Sequence, residues 1–268
     1  VQAFLHHEAM LLDRARFVGE VLDLDDGARG VTAACALALG RKHGLRLVLL
    51  GSTRPLAVDQ AWLALDEAGL KALKSRVMVE SKARGEDPRR AWRDVEKSIE
   101  IRSAMERFRA AGVDARYEAC DLADSAAVCD LVARVERECG PVRGVVHGAG
   151  WESACKFEKK TPEGLEATLG PKCVGLEHLL AALDPARLDA LVAFGSTSGR
   201  LGGVGQADYS AANDMLAKIV GRARRAGKGL RAALFHWHAW DEVGMASRPE
   251  SRFVLEQFGL KFMPLAEG

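Results

Sequence analysis

Residues 17–39 read FVGEVLDLDDGARGVTAACALAL, and this stretch predicts the fold. An apolar, strand-like run ends at Leu24, a turn with Gly27 and Gly30 follows, and an apolar helix pattern begins at Val31. This order of strand, glycine turn and helix lets backbone amides and the positive end of a helix dipole hold a pyrophosphate. Glycine also serves any tight turn between a strand and a helix, so the segment predicts a βα unit first and a nucleotide site second.

The same alternation of short apolar runs and longer helical patterns continues along the chain. It is typical of a parallel sheet that is buried on both faces. The predicted strands are 17–24, 46–51, 113–120, 142–147, 190–195 and 230–237. The predicted helices are 31–43, 125–139, 161–183 and 209–226. We therefore predict an α/β fold with a doubly wound, Rossmann-like parallel sheet, in one domain over residues 1–268.

Residues 55–112 interrupt this pattern, because a compact crossover joins two parallel strands with far fewer residues. The stretch is rich in Lys, Arg, Glu and Ala, and its apolar residues recur at helical intervals. It predicts a helical insertion after the second strand, with a break at residues 85–88. The alternative is a mobile, solvated loop.

Composition excludes several classes of function. The 38 Lys and Arg balance 37 Asp and Glu, so neither a nucleic acid nor an anionic membrane is an expected partner. No apolar run is long enough to span a bilayer, and the first twenty residues lack the pattern of a signal peptide, which predicts a cytoplasmic location. The six cysteines form no CxxC pair, and His236 and His238 have no third ligand nearby, so no metal site is predicted.

The end of the second predicted strand bears on the choice of cofactor. A NAD site places an acid about 20 residues after the glycine turn, but this chain has Ser52 and Arg54 there. With Arg29 in the turn, a 2′-phosphate is favoured, which predicts NADPH rather than NADH. Asp25 and Asp26 place two carboxylates in the same turn, where they either oppose the pyrophosphate or point away as helix caps.

The most specific segment is residues 194–213, which read FGSTSGRLGGVGQADYSAAN. Tyr209 follows Ser196 by 13 residues, Asn213 lies one helical turn after Tyr209, and Lys172 precedes Ser196 by 24 residues. This arrangement resembles the short-chain dehydrogenase/reductases, and more narrowly the ketoreductase domains of type I polyketide synthases and polyunsaturated fatty acid synthases. Free-standing members of the superfamily usually carry Tyr-x-x-x-Lys, whereas these ketoreductase domains carry Tyr-x-x-x-Asn and take their lysine from the preceding long helix.

The resemblance implies a catalytic tetrad of Lys172, Ser196, Tyr209 and Asn213. Hydride transfer to a ketone leaves negative charge on oxygen, so Tyr209 would donate a proton there and Ser196 a hydrogen bond. Lys172 would lower the pKa of Tyr209 and steady the nicotinamide ribose, and Asn213 would order water. The predicted cofactor-binding residues are Gly27, Arg29, Gly30, Val31, Ser52, Arg54, Asp121, Leu122, Gly148, Ala149, Gly150, Lys172 and Tyr209.

The resemblance also implies a substrate and partners. We expect NADPH-dependent reduction of a β-ketoacyl thioester, carried on an acyl carrier protein, within a longer multidomain synthase. A lid and tail are expected over about 241–268, with Arg248 and Arg252 near an acidic carrier protein. The alternatives are a free-standing reductase of a small carbonyl compound, and a catalytically inactive ketoreductase-like domain that serves structure or docking.

Overall fold

The structure is a computed structural model of the 268-residue chain. It describes residues 20–24, 30–227, 229–241, 252, 253, 256, 257 and 259–268. Within these residues, six parallel strands form one sheet in the order β3-β2-β1-β4-β5-β6. The strands are β1 (Glu20–Leu24), β2 (Arg46–Gly51), β3 (Ala115–Ala119), β4 (Val142–His147), β5 (Ala190–Ser196) and β6 (Arg231–Trp237). The predicted doubly wound parallel sheet is confirmed.

The order of the strands reverses direction between β1 and β4. In open parallel sheets such a reversal leaves a crevice beyond the carboxyl ends of the strands, where ligands bind. β2 and β4 are apolar runs that are buried along nearly their whole length, because helices cover both faces of the sheet. The crevice therefore opens at the strand ends that the glycine- and serine-rich turns follow.

Helices cover both faces of the sheet, and four of them begin at a side chain that caps the helix. They are α1 (Gly30–His43), α2 (Glu67–Ala83), α3 (Pro88–Ala110), α4 (Ser125–Cys139), α5 (Pro162–Leu169), α6 (Gly175–Ala182), α7 (Ser198–Leu201) and α8 (Ala207–Ala226). The side chains of Asp66, Asp87, Asp124 and Thr161 each accept a backbone N–H in the first turn that follows. No helix in the described part of the chain is long and apolar enough to cross a membrane.

The segment between β2 and β3 is helical, as predicted, and it has two structural roles. A 3₁₀ turn (Gln60–Ala64), α2 and the first half of α3 form a hairpin around a small core that includes Leu73, Trp92 and Ile99. The second half of α3 packs on the sheet instead, where Phe108 joins the cluster that contains Leu47. The residues after Ile99 therefore form the ordinary crossover helix, and only the earlier part of 55–112 is an addition to the fold.

The predicted helix 161–183 is interrupted by one π-helical turn, Gly170–Val174. Pro171 has no N–H to donate, and its ring would clash with a carbonyl of the preceding turn of an α-helix. The hydrogen bonding shifts here, and the N–H of Gly175 reaches the carbonyl of Gly170. The wider turn buries the side chains of Lys172 and Cys173 against the sheet.

We predict that Phe108→Ala lowers the free energy of unfolding by about 3–5 kcal/mol, because the ring is only 2% exposed and its removal leaves a cavity beside the sheet. Urea denaturation measures this change. The matched control is Phe157→Ala, since Phe157 is 77% exposed and its loss should cost no more than about 0.5 kcal/mol. Equal losses in the two variants would contradict the assignment of late α3 to the core.

Candidate active site

Ser196 ends β5 and is paired with Trp237 of β6. The hydroxyl oxygen of Ser196 accepts the backbone N–H of Ser198 at 3.2 Å and lies 3.0 Å from the Ser198 hydroxyl. His236 contacts the Ser196 carbonyl through Nδ1 at 3.1 Å, and its Nε2 accepts from Arg200 at 3.1 Å. These contacts fix the position of Ser196 at the carboxyl edge of the sheet.

Tyr209 and Asn213 lie one turn apart on α8, as the spacing predicts. The Asn213 side chain is fully buried and donates from Nδ2 to the Tyr209 carbonyl at 2.7 Å. Its Oδ1 has no hydrogen-bond partner among the described residues. Gly199 allows this packing, because a Cβ there would lie 2.7 Å from the Asn213 Cβ.

Lys172 reaches the same place from the π-helical turn. Its side chain is 3% exposed, and Nζ donates to the Phe194 carbonyl at 3.1 Å, two residues before Ser196. The same Nζ lies 5.8 Å from the centre of the Tyr209 ring. Gly150 leaves room for it, since a Cβ there would lie 2.9 Å from Lys172 Cε. The structure thus brings together the lysine, the end of β5 that carries Ser196, and Tyr209.

His147, at the end of β4, forms a hydrogen bond with the backbone of Lys172. The imidazole is completely buried, and Nε2 lies 2.8 Å from the Lys172 carbonyl, so this nitrogen carries the proton and donates it. Burial, followed by the positive charge of Lys172, lowers the pKa of His147 to about 3. A neutral histidine here holds the backbone of Lys172 without adding a second positive charge.

Apart from Lys172 and Tyr209, the described residues that were predicted to bind the cofactor lie at the start of α1 or just after β2, β3 and β4. Gly30 starts α1 with a φ of 65°, and Val31 packs beside the sheet. Gly148 touches α1, because a Cβ there would lie 2.0 Å from the Thr32 hydroxyl oxygen, and Ala149 is buried. The backbone at Gly148 and Gly150 is thus packed closely against the side chains of Thr32 and Lys172, which leaves little room for a Cβ at either position. Gly27 and Arg29 lie outside the described residues, as do Asp25 and Asp26.

Two further groups border the crevice. Ser52 and Arg54 are exposed just after β2, and the Thr53 carbonyl between them accepts the Tyr117 hydroxyl at 2.7 Å. After β3, Asp121 caps its own turn by accepting the Ala123 amide at 2.9 Å. Leu122 is buried, and its carbonyl contacts His178 at 2.8 Å. Of this pair, Asp121 is exposed at the crevice, and Leu122 packs inward.

The expected carrier-protein patch is described only in part. Arg248 lies outside the described residues. Arg252 forms ion pairs with Asp241 and with Glu256, so two carboxylates balance its charge. Within the described part of the chain, no group of His, Cys, Asp and Glu could hold a metal ion.

Sequence reasoning missed one contact beside Tyr209. The Lys160 ammonium and the Asp208 carboxylate form an ion pair at 2.7 Å, and both side chains are largely buried. The only sequence signal was an acid directly before Tyr209. Nothing in the spacing indicated that a lysine 48 residues earlier would meet it, because that contact depends on the path of the loop after β4.

The parallel sheet, its switch point between β1 and β4, and the grouping of Lys172, Tyr209 and the end of β5 define a Rossmann-like fold of the short-chain dehydrogenase/reductase type. The family model for the KR domain matches residues 27–242. The chain belongs to this family, the ketoreductase domains, which are oxidoreductases.

Similar proteins agree with this assignment. The chain is 31% identical to a polyunsaturated fatty acid synthase polypeptide of Thraustochytrium sp., over 93% of this chain and 9% of that protein. It is 35% identical to polyketide synthase GfsA of Streptomyces halstedii, over 87% of this chain and 3% of that protein. The ketoreductase from the first module of phoslactomycin biosynthesis in Streptomyces sp. HK803 shares 26% identity with a TM-score of 0.69, over 93% of this chain and 47% of that one.

A short-chain dehydrogenase from Burkholderia cenocepacia J2315, solved in complex with NADP, shares the fold at a TM-score of 0.62 and 19% identity. The superposition covers 87% of the Burkholderia chain and 93% of this chain. The chain spans 47% of the phoslactomycin ketoreductase chain and less than a tenth of the two synthases named above.

We predict that folding stability falls as the pH drops from about 6.5 toward 3, because the unfolded chain protonates His147 at its ordinary pKa and the folded chain does not. This one group contributes a slope of about 1.4 kcal/mol per pH unit. Urea denaturation at several pH values measures the slope. His147→Gln keeps an N–H donor and should lose this part of the slope, whereas His238→Gln should keep it; equal slopes in all three proteins would contradict the prediction.

Proposed function

We propose that this domain uses NADPH to reduce the β-keto group of an acyl thioester, carried on an acyl carrier protein, to a β-hydroxyl group. The observation that carries the proposal is the buried Lys172 ammonium, held by the Phe194 carbonyl and 5.8 Å from the Tyr209 ring centre. A buried ammonium beside a phenol favours the phenolate and so makes the hydroxyl a better proton donor.

The residues divide the chemistry among them. When bound, NADPH supplies a hydride to the ketone carbon. Tyr209 gives its hydroxyl proton to the ketone oxygen, and Ser196 donates a hydrogen bond to the same oxygen as negative charge develops there. Lys172 stabilises the resulting phenolate. Asn213, anchored on the Tyr209 carbonyl, orders the water that returns a proton to this site.

The residues at the crevice fit a dinucleotide phosphate. The first turn of α1, with Gly30 and Val31, would offer backbone N–H groups to the pyrophosphate, and Gly27 and Arg29 remain predicted members of this site. Residues 148–150 would let a nucleotide approach the backbone, and the exposed Asp121 would lie beside its adenosine, with Leu122 buried next to Asp121. Ser52 and Arg54 stand where the ribose 2′-phosphate would lie, and an arginine there matches the charge and planar geometry of a phosphate.

A cavity of about 490 Å³ supports an acyl substrate. It is lined by Cys155, Phe157, Gly202, Gly203, Gly205 and Ser210, the last being the residue after Tyr209. Phe157, Leu201 and Val204 are strongly exposed around it. An apolar rim of this kind on a soluble fold indicates a surface that binds an apolar ligand or partner.

The proposal for the carrier protein rests on the relatives, which are multidomain synthases. Because Arg252 is neutralised within its own segment, we place the contact with an acidic carrier at the cavity instead. Lys156 lines the cavity, and Lys159 is exposed next to it.

We predict that the domain oxidises NADPH when a β-ketoacyl thioester is added, and that Tyr209→Phe lowers kcat by about 100-fold or more, since the variant has no hydroxyl proton to donate. NADPH absorbance measures turnover. Tyr117→Phe is the matched control, because Tyr117 donates to Thr53 and lies outside the tetrad. Turnover of a small ketone but not of the thioester would favour the free-standing reductase. Absence of both turnover and thermal stabilisation by NADPH would favour the inactive domain.

We predict that Arg54→Ala weakens NADPH binding roughly tenfold or more and leaves NADH binding nearly unchanged, because a charge-assisted hydrogen bond to the 2′-phosphate is lost. Fluorescence titration gives both dissociation constants. The control is Arg41→Ala, at the far end of α1, which should leave the ratio of the two constants as it is in the wild type. A parallel loss of NADH affinity would show that Arg54 does not recognise the 2′-phosphate.

A further inference from the structure

Three contacts join the loop that follows β4 to the first residues of α8 and the residues just before it. The Cys155 amide donates to the Gly205 carbonyl at 3.1 Å, the Gln206 side chain donates to Glu152 at 2.8 Å, and Lys160 pairs with Asp208 at 2.7 Å. The same loop and the residues before α8 line the cavity beside Tyr209. The contacts therefore join one wall of the cavity to the helix that carries the proton donor.

Of these three contacts, Lys160–Asp208 is the one between two oppositely charged side chains, and both side chains are largely buried. The exposed fractions of the side chains are 13% and 6%. Lys160 Nζ also donates to the Ser153 carbonyl at 2.9 Å, and Asp208 Oδ1 accepts the Tyr209 amide at 2.8 Å. The carboxylate thus binds the loop lysine and the backbone of Tyr209 through one oxygen atom.

Burial alone would favour the neutral forms of both groups. For Asp208, the hydrogen bonds from Lys160 and from the Tyr209 amide outweigh that effect and keep its pKa below the ordinary value. For Lys160, the hydrogen bond and the charge of Asp208 outweigh burial and raise its pKa. Each group therefore favours the charged form of the other.

A buried ion pair is a poor source of stability, because desolvation offsets most of the attraction between the charges. Its position gives this pair a different consequence. An unpaired carboxylate directly before Tyr209 would oppose the effect of the Lys172 ammonium on the phenol, and an unpaired lysine would reinforce it. With both present, the two charges offset each other beside Tyr209.

We propose that Lys160 and Asp208 are positioning residues for Tyr209. The pair holds the first turn of α8 against the loop that walls the cavity, and Lys160 cancels the charge that Asp208 places beside the proton donor. The kinetic part of this inference rests on the proposed function, whereas the effect on the Tyr209 hydroxyl does not.

Other charged or titratable groups lie near Tyr209 in the described part of the chain. Lys172 faces the ring from the π-helical turn, and the neutral His147 contacts the Lys172 carbonyl. On the loop, Glu152 accepts from Gln206, and Cys155 adjoins Lys160. Further along α8, Asp214 contacts both Lys218 and Arg200, and Arg200 in turn donates to His236 of β6.

The test uses the fact that the chain has only two tyrosines, Tyr117 and Tyr209. NMR titration of protein labelled at the tyrosine ring carbon that bears the hydroxyl then follows each ionisation separately, with Tyr117 as the internal reference. The variants are Lys160→Met, Asp208→Asn and the double variant. The control is Lys218→Met, which breaks an exposed ion pair on the same helix.

We expect Lys160→Met to raise the titration midpoint of Tyr209 and Asp208→Asn to lower it, each by a few tenths to about one pH unit. In the double variant, the Tyr209 midpoint should lie close to the wild-type value. The Lys160→Arg variant, which keeps the positive charge, should also have the wild-type midpoint. In the kinetic arm, Lys160→Met should lower kcat for the thioester about tenfold, with the NADPH dissociation constant unchanged.

Three results decide the inference. Shifts of the Tyr209 midpoint in opposite directions in Lys160→Met and Asp208→Asn support the inference. If these shifts occur but the wild type does not reduce the thioester, the proposed function is wrong and the inference about the pair stands. An unmoved Tyr209 midpoint in folded Lys160→Met and Asp208→Asn overturns it. Equal loss of thermal stability and of kcat in both single variants, with no return in the double variant, shows a purely structural pair and also overturns it.

Discussion

The burial of one ammonium group, that of Lys172, is the constraint on which the rest of the site depends. Moving a charged amine out of water costs several kcal/mol unless hydrogen bonds and nearby electron density compensate for it. Here the Phe194 carbonyl accepts from Nζ and the Tyr209 ring lies beside it. The π-helical turn at Pro171 points the side chain inward, Gly150 leaves it space, and the neutral His147 fixes its backbone. Residues from several separate elements thus hold this charge beside the Tyr209 ring.

The parallel sheet explains why these elements meet. All six described strands run in the same direction, so the residues that follow β2, β3, β4 and β5 gather at one edge. Gly148 and Gly150 follow β4, Ser196 ends β5, and the proposed substrate cavity lies between the loop after β4 and the start of α8. The helical hairpin between β2 and β3 adds its own small core beside this arrangement and leaves the crossover helix in its usual place. The hairpin also reaches the start of α1, because Trp62 and Leu65 line a cavity together with Gly30.

Much of the fold followed from local patterns. The observed bounds of β2, β4 and α4 agree with the predicted ones. Apolar runs and helix caps consist of residues that are adjacent in the sequence, so they can be recognised without the tertiary structure. The predicted helix 161–183 was less accurate, since a proline in a helical pattern signals a break but does not say that a π turn will absorb it. Gly148 was predicted to serve the cofactor, and the structure also gives it a packing role against Thr32 that no sequence pattern expresses.

The sequence by itself determined the fold class, the family resemblance and the identity of Lys172, Ser196, Tyr209 and Asn213, because these depend on residue types and on spacing along one chain. Only the tertiary structure decided which groups surround them: the His147 contact behind Lys172, the Lys160–Asp208 pair beside Tyr209 and the carboxylates that neutralise Arg252. The physical reason is that a charge acts through space on whatever lies within a few ångströms of it. Those neighbours come from loops whose paths are set by the packing of the whole domain and not by the residues adjacent in sequence.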